Sequence, residues 1–518
     1  MVVRYTGNLL GKGRGWAGAM LDVPRPAGKR IARFKHLALL LVLSAGSCAI
    51  HLQTGSIAGA APYVFCLTLL LCFGIVSRAK GFASYHVSMV GIVEGYFILD
   101  YVIYGTMVCA QQFSKVPLGS TMQDAYSDGY WVGAASLLCF AVGVRICNWA
   151  QRDRVPLART LRARETSICR TVFGVFVALG IVSLVVLLTD PNVRNELLYQ
   201  HIGIVPAVGM GRYSAAVFIL PSVAAALLYV STVKRDGKAG SKFRRFLLAA
   251  MLVGLSLIHL AQGRRLMWLC ALLLAVQFGH LGGLFRLRTW VVLVSIPGVI
   301  VTASYFEASK NTGLRDIASI PEKVAITSGD AILRMIQNSV GRFDTSAALI
   351  ANRQQRGYYL GLTFVESVQS AMPSAMRGEE RYNLRLELAD LIYGPSRRNL
   401  MSEEGSLVAE AFANFGYAGA LIVFLPLGYL CAYLDRRFQH VRSPIAAVGY
   451  AFALFRVGHH LVTVSHSALP LTVDLFVPWV VALLAMRLFA GRARAPRAVS
   501  RGPLAVPPNL VVIRAGRA

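Results

Sequence analysis

Between residues 36 and 490 the chain is a succession of apolar blocks, each close to the length that crosses a lipid bilayer. A helix rises about 1.5 Å per residue, so about 20 residues span a hydrocarbon core. Twelve spans are expected, at 36–53, 62–77, 85–110, 130–149, 171–189, 213–233, 246–262, 266–284, 289–306, 408–434, 444–464 and 469–490. Repetition on this scale makes the membrane the body of the protein and not an anchor. Charged residues make up 15% of the chain, against about 25% in soluble domains. The fold class expected is an all-α polytopic membrane protein with about 12 transmembrane helices. Residues 1–35 are basic, polar and Gly-rich, without the apolar core of a cleavable signal, so insertion is expected to use the first spans.

The charge pattern adds sidedness. Lys and Arg number 53 against 25 Asp and Glu, a formal charge of +28. Such an excess taken alone points to nucleic acid or an acidic surface. Its distribution points to the bilayer. With the N-terminus inside and the connections alternated, 33 Lys and Arg fall in inner segments and 5 in short outer loops. Three lie within spans (Arg145, Arg456 and Arg487), and 12 lie in 307–404, a segment too long to obey the rule. The bias predicts both termini in the cytoplasm, the lipid bilayer as a partner, and no nucleic acid. The organisation expected is a basic cytoplasmic tail at 1–35, spans one to nine in 36–306, a large outer loop at 307–404, spans ten to twelve in 405–490, and a basic disordered tail at 491–518. The outer loop is near neutral, with 12 acidic and 12 basic residues, and contains Phe343, Tyr358, Tyr359, Phe364 and Tyr382. That composition predicts a folded, partly helical lid.

Several chemistries find no motif. Nine cysteines lie mostly in apolar blocks with no CxxC pair, which argues against zinc, redox chemistry and a disulfide framework. Gly7 to Gly13 is one residue short of a phosphate-binding loop and lacks its Ser/Thr. No HExxH and no Asp-rich pair near a span end is present, so no metal and no cofactor is expected.

Three groups of polar residues then stand out on the expected outer face. Arg264 and Arg265 form the tight connection between spans seven and eight, against the sidedness bias. Paired guanidinium groups suit phosphate or pyrophosphate, and they equally suit the end of a helical hairpin, snorkelling to headgroups. Arg456, His459, His460 and His466 gather at the end of span eleven. An ion inside a span is a functional candidate; Arg456 also has a structural alternative, an ion pair with Asp474. His460 and His466 are candidate bases at neutral pH, or structural histidines. Glu403, Glu404 and Glu410 lie at the start of span ten; Glu410 is the deepest and is a candidate proton acceptor. Glu94 and Asp100 in span three are further buried ions, with a structural role expected and proton transport the alternative.

The run Ser402-Glu403-Glu404-Gly405-Ser406 through Glu410, Phe412, Asn414-Phe415-Gly416 to Gly419 resembles a segment of Wzy-like O-antigen and exopolysaccharide polymerases. Gly263-Arg264-Arg265 resembles that family's Arg-bearing turn. Arg342-Phe343-Asp344, followed by Gly361 and Met372-Pro373-Ser374, resembles its large periplasmic loop. The resemblance covers roughly 250–435. It implies a GT-C-like, metal-independent inverting glycosyltransferase of the bacterial inner membrane, with its active face periplasmic. The substrates implied are undecaprenyl-pyrophosphate-linked oligosaccharides, and a chain-length regulator and a flippase are the implied partners. Arg264, Arg265, Arg342, Asp344 and Arg456 are then candidates for binding pyrophosphate or glycan, and Glu410, His460 and His466 for the base. An O-antigen-ligase-like transferase and a secondary transporter or lipid flippase are the alternatives.

Overall fold

The computed structural model describes residues 26–55, 58–77, 88–110, 122–151, 163–189, 341–372, 383–394, 404–439 and 444–465, with short stretches between 468 and 484. The expected spans at 213–233, 246–262, 266–284 and 289–306 lie outside the described residues, as do Arg264, Arg265, His466, Asp474, residues 1–25 and the tail at 491–518, while the helix that carries the first expected span begins at Pro26, inside the stretch expected as a tail. Among the described residues every regular element is helical. In chain order they are α1 (Pro26–Thr54), α2 (Ala61–Ser77), α3 (Met89–Phe97), a π-helical turn (Ile98–Tyr104), α4 (Gly105–Cys109), α5 (Met122–Ala150) and α6 (Ala163–Leu188). They continue with α7 (Phe343–Arg356), α8 (Leu362–Ala371), α9 (Leu384–Tyr393), α10 (Leu407–Phe415), a second π-helical stretch (Ala420–Phe424), α11 (Leu425–Gln439) and α12 (Pro444–Leu461).

Among the described residues three stretches are long and apolar enough to cross a membrane: Leu37–Thr54, Met89–Cys109 and Asp124–Ala150. Their side chains are distributed as lipid demands. On α1, Leu41, Val42 and Leu52 are exposed while Ser44, Ser47 and His51 are buried. Ser47 Oγ lies 2.6 Å from Thr106 Oγ1, and Thr106 Oγ1 lies 3.4 Å from His51 Nε2. Interhelical polar contacts under an apolar exterior suit helices packed in hydrocarbon. The described fold is thus all-helical and compatible with a membrane protein.

α5 is the central helix. It lies along α11, and two glycines let the backbones touch. A Cβ on Gly143 would stand 2.1 Å from the Leu425 carbonyl oxygen, and one on Gly428 equally close to that of Phe140. At the other end of α5, a cluster of buried rings fixes α7. Phe343 packs 4.5 Å from Tyr130 and 5.4 Å from Tyr101, centroid to centroid, and Tyr101 stacks on Phe65 at 4.8 Å. Phe343 opens α7, so pinning its ring fixes Arg342 and Asp344 on either side.

The apolar block at 408–434 is not one continuous α-helix. α10 stops at Phe415, where Gly416 takes φ +59°. Its last carbonyls are not left bare: Tyr359 N donates to Ala413 O at 2.9 Å and Leu360 N to Asn414 O at 2.8 Å. A helix that breaks in a buried place requires such substitutes for the missing intrahelical bonds. The break makes α10 a short element held against the 357–363 turn.

A candidate functional site at the start of α10

Ser406 caps α10, accepting from Ala409 N at 3.2 Å, and its hydroxyl meets Ser346 of α7 at 2.7 Å. This contact sets α10 beside α7. One turn in, Glu410 is 1% exposed. Its carboxylate reaches across to the turn that follows α12. Ser465 donates to Glu410 Oε2 twice, from its backbone N at 2.7 Å and its Oγ at 2.8 Å. Thr363, at the start of α8, donates to Oε1 at 3.2 Å.

Behind Ser465 stands His460, whose Nε2 lies 2.7 Å from Ser465 Oγ. Carboxylate, hydroxyl and imidazole therefore form one hydrogen-bonded chain. With Glu410 ionised, Ser465 donates to it and accepts from His460 Nε2–H. With Glu410 protonated, both bonds reverse and Ser465 donates to the ring. The chain accommodates a proton at either end.

Asn414, one turn after Glu410, sets the geometry from the other side. Its Nδ2 donates to Thr363 Oγ1 at 2.6 Å and to Glu410 O at 2.8 Å, and its Oδ1 accepts from Gly361 N at 3.0 Å. Phe415 stacks on Phe364 at 6.2 Å.

Arg342 arrives from the α7 cap. Its backbone N donates to Asp100 Oδ1 at 2.7 Å, and its Nε donates to Val462 O at 3.0 Å, in the turn that carries Ser465. Asp100 sits in the first π-helical turn, a distortion that often marks functional positions, and also accepts from Tyr96 at 2.9 Å. Asp344 accepts from Tyr104 Oη at 3.0 Å and from Thr345 N at 2.8 Å. Arg456 holds the far side of the same turn. It donates through Nε to Thr472 Oγ1 at 2.8 Å, through a terminal nitrogen to His459 Nδ1 at 2.8 Å, and through the other to Ala468 O. An incoming anion would compete with three bonds that shape the turn.

α7 and the turn after it meet α9 nearby. Glu387 of α9 pairs with Arg353 and accepts from Asn352 and from Tyr359. The Arg353 guanidinium lies 4.1 Å above the Tyr359 ring. Among the described residues no group of three or more His, Cys, Asp or Glu side chains is arranged to hold a metal ion.

Of the residues predicted from the sequence, Arg342, Asp344, Glu410, Arg456 and His460 are described. Glu410 and His460 meet through Ser465, and Arg342 and Arg456 brace the same turn. Ser465 and Thr363 were not singled out in the sequence, where a hydroxyl in a short connection carries no pattern. Asn414 was visible only within a motif. Comparison with family models, curated proteins and solved structures found no match for this chain.

Proposed function

We propose that the chain is a multi-pass glycosyltransferase of the bacterial inner membrane that polymerises polyprenyl-pyrophosphate-linked oligosaccharide units on the periplasmic side. The observation that carries this reading is the convergence of Glu410, Ser465 and His460 with Arg342 on one turn. These residues come from three stretches of the chain, and two of them, Arg342 and Glu410, lie in segments that resemble Wzy-like polymerases. In the reaction, a hydroxyl of the incoming lipid-linked unit attacks the anomeric carbon of the growing chain. The bond from that carbon to the lipid pyrophosphate breaks, and the pyrophosphate leaves with the electron pair. Glu410 accepts the hydroxyl proton, and Ser465 and His460 hold the carboxylate ready for it. Arg264, Arg265 and Arg342 meet the charge that develops on the leaving group. Arg456 positions the turn.

The test is chain extension in cells or with purified lipid-linked units, read as a ladder of glycan lengths. Arg265→Ala is expected to abolish extension while the protein remains in the membrane; a ladder of full length would overturn the assignment. A ligase would instead leave long lipid-linked polymer intact when lost. One observation favours a transporter: Glu94 is buried with its Oε2 unpartnered among the described residues. That reading makes Glu94→Gln abolish transport of a lipid-linked unit, whereas the polymerase reading leaves the ladder unchanged.

A further inference from the structure

α8 has its faces reversed relative to a helix in water. Thr363, Glu366, Ser367 and Ser370 are buried and share one side, whereas Leu362, Val365 and Val368 are exposed on the other. The inward polar face has a local reason, since Thr363 bonds Glu410. Ser367 and Ser370 donate to backbone carbonyls of their own helix at 2.7 Å. The outward apolar face has no protein cover among the described residues.

That face does not end with α8. Tyr358 and Leu360, in the preceding turn, are 44% and 78% exposed. The Tyr358 ring packs 5.6 Å from Phe412, and Phe412 packs 5.4 Å from Tyr417. Tyr417 is exposed, as are Leu421 and Ile422 one turn further on. A single apolar surface thus runs from α8 onto the helix expected to form span ten. Leu360 adds an independent sign. It holds φ +53°, a conformation that side chains other than glycine and asparagine adopt at a cost, and it is the most exposed of these residues. A turn facing water gains nothing from leucine there; a turn facing hydrocarbon does.

We infer that α8 and the 358–362 turn are embedded in the outer leaflet, with Leu360, Leu362, Val365 and Val368 against lipid acyl chains. The segment is then the wall between the bilayer and the Glu410 site, not a lid in the aqueous phase. The inference rests on the membrane placement proposed above and not on the glycosyl-transfer reaction.

The test uses the intact chain in vesicles containing a phospholipid with a diazirine partway along one acyl chain. After photolysis and trypsin, labelled residues are located by mass spectrometry. The peptide 357–377 is expected to be labelled at Leu360, Leu362, Val365 or Val368, in yield comparable to Val42 and Leu52 of α1. A parallel sample is oxidised by hydroxyl radicals, which are expected to spare those four side chains. Hydroxyl-radical modification without lipid label would place α8 in water and overturn the inference. Protection from both reagents would mean cover by protein, another part of this chain or a second copy, and would overturn it too. Failure of Val42 and Leu52 to label would remove the membrane placement itself. None of these outcomes depends on whether sugars are polymerised.

Discussion

Glu410 and Asp435 are two buried carboxylates 25 positions apart on the same run of chain, each 1% exposed, and α12 connects them. Tyr450 near its start touches Asp435, and the turn after its end touches Glu410. Asp435 accepts from Met89 N at 2.9 Å, Val90 N at 3.2 Å and Tyr450 Oη at 2.5 Å. The first two are orphan amides at the start of α3, so Asp435 caps a helix from a distance. Two of its three donors are backbone amides, which do not titrate. Glu410 also accepts three bonds, but one donor, Ser465 Oγ, is itself bonded to the His460 imidazole. With equal burial and equal numbers of bonds, one carboxylate closes the end of a helix and the other stands in a carboxylate–hydroxyl–imidazole chain, the arrangement that the proposed reaction uses. What separates them is the second atom out.

Removing each carboxylate tests the distinction. Asp435→Ala strands two buried amides, at about 1–3 kcal/mol each, a large part of the roughly 5–15 kcal/mol that holds a domain folded. Thermal unfolding in detergent should show a strongly destabilised protein, and little of it should accumulate in membranes. Glu410→Gln keeps the shape and most hydrogen bonds. It should leave folded protein at normal levels and lower chain extension by about 10²–10⁴, the usual worth of general acid–base catalysis. If Asp435→Ala folds normally but stops extension, or Glu410→Gln fails to fold, the two roles are misassigned.

How far the sequence discloses this contrast depends on what each feature leaves in a linear pattern. Apolar blocks long enough to span a bilayer are legible because hydrocarbon thickness sets their length, and the helices at 37–54, 89–109 and 124–150 lie within or overlap expected blocks. Glu410 and His460 are legible as ionisable residues at span ends, and Arg342, in the long outer loop, only through the family resemblance. Ser465 is not, because its role comes from chain reversal after α12. The break at Gly416 is also hidden: apolar residues continue through it, and the replacement bonds come from Tyr359 and Leu360, more than fifty residues earlier. The motif Asn414-Phe415-Gly416 becomes intelligible only with those partners. Asn414 fixes Thr363 and Gly361, Phe415 packs on Phe364, and Gly416 turns beneath Tyr358. Charge counting reads 307–404 as an outer lid, but it carries no information on the buried face of α7, whose Phe343, Ala347 and Ile350 belong to the same core as α5.

Ser465→Ala separates the two halves of the relay. The backbone N–H of residue 465 still reaches Glu410, so the carboxylate keeps one of its two donors on Oε2. The hydroxyl link to His460 is lost. A neutral hydrogen bond contributes about 0.5–1.5 kcal/mol to stability, and one to a charged group about 1.5–3, so unfolding should move modestly. Chain extension should fall by more than that change explains, and Ser465→Thr should restore most of it by replacing the hydroxyl. Activity that follows stability alone in both variants would reduce Ser465 to a structural role like that of Tyr450.

The finest test compares single donors of similar kind on the two carboxylates. Tyr450→Phe removes the hydroxyl on Asp435 and leaves the two backbone amides in place. Thr363→Val removes the longest of the three bonds on Glu410 with little change of shape, and it takes away one acceptor of Asn414 Nδ2, which keeps the Glu410 carbonyl. Each loss should cost about 1–2 kcal/mol of stability in thermal unfolding. The activities should diverge. Tyr450→Phe should leave chain extension at the wild-type rate once corrected for folded protein, because Asp435 holds only the start of α3. Thr363→Val should slow extension severalfold, because it loosens the carboxylate proposed to take the proton and the α8 turn that faces it. Equal activity in the two variants would erase the difference between the clusters and leave Glu410 as a second structural cap.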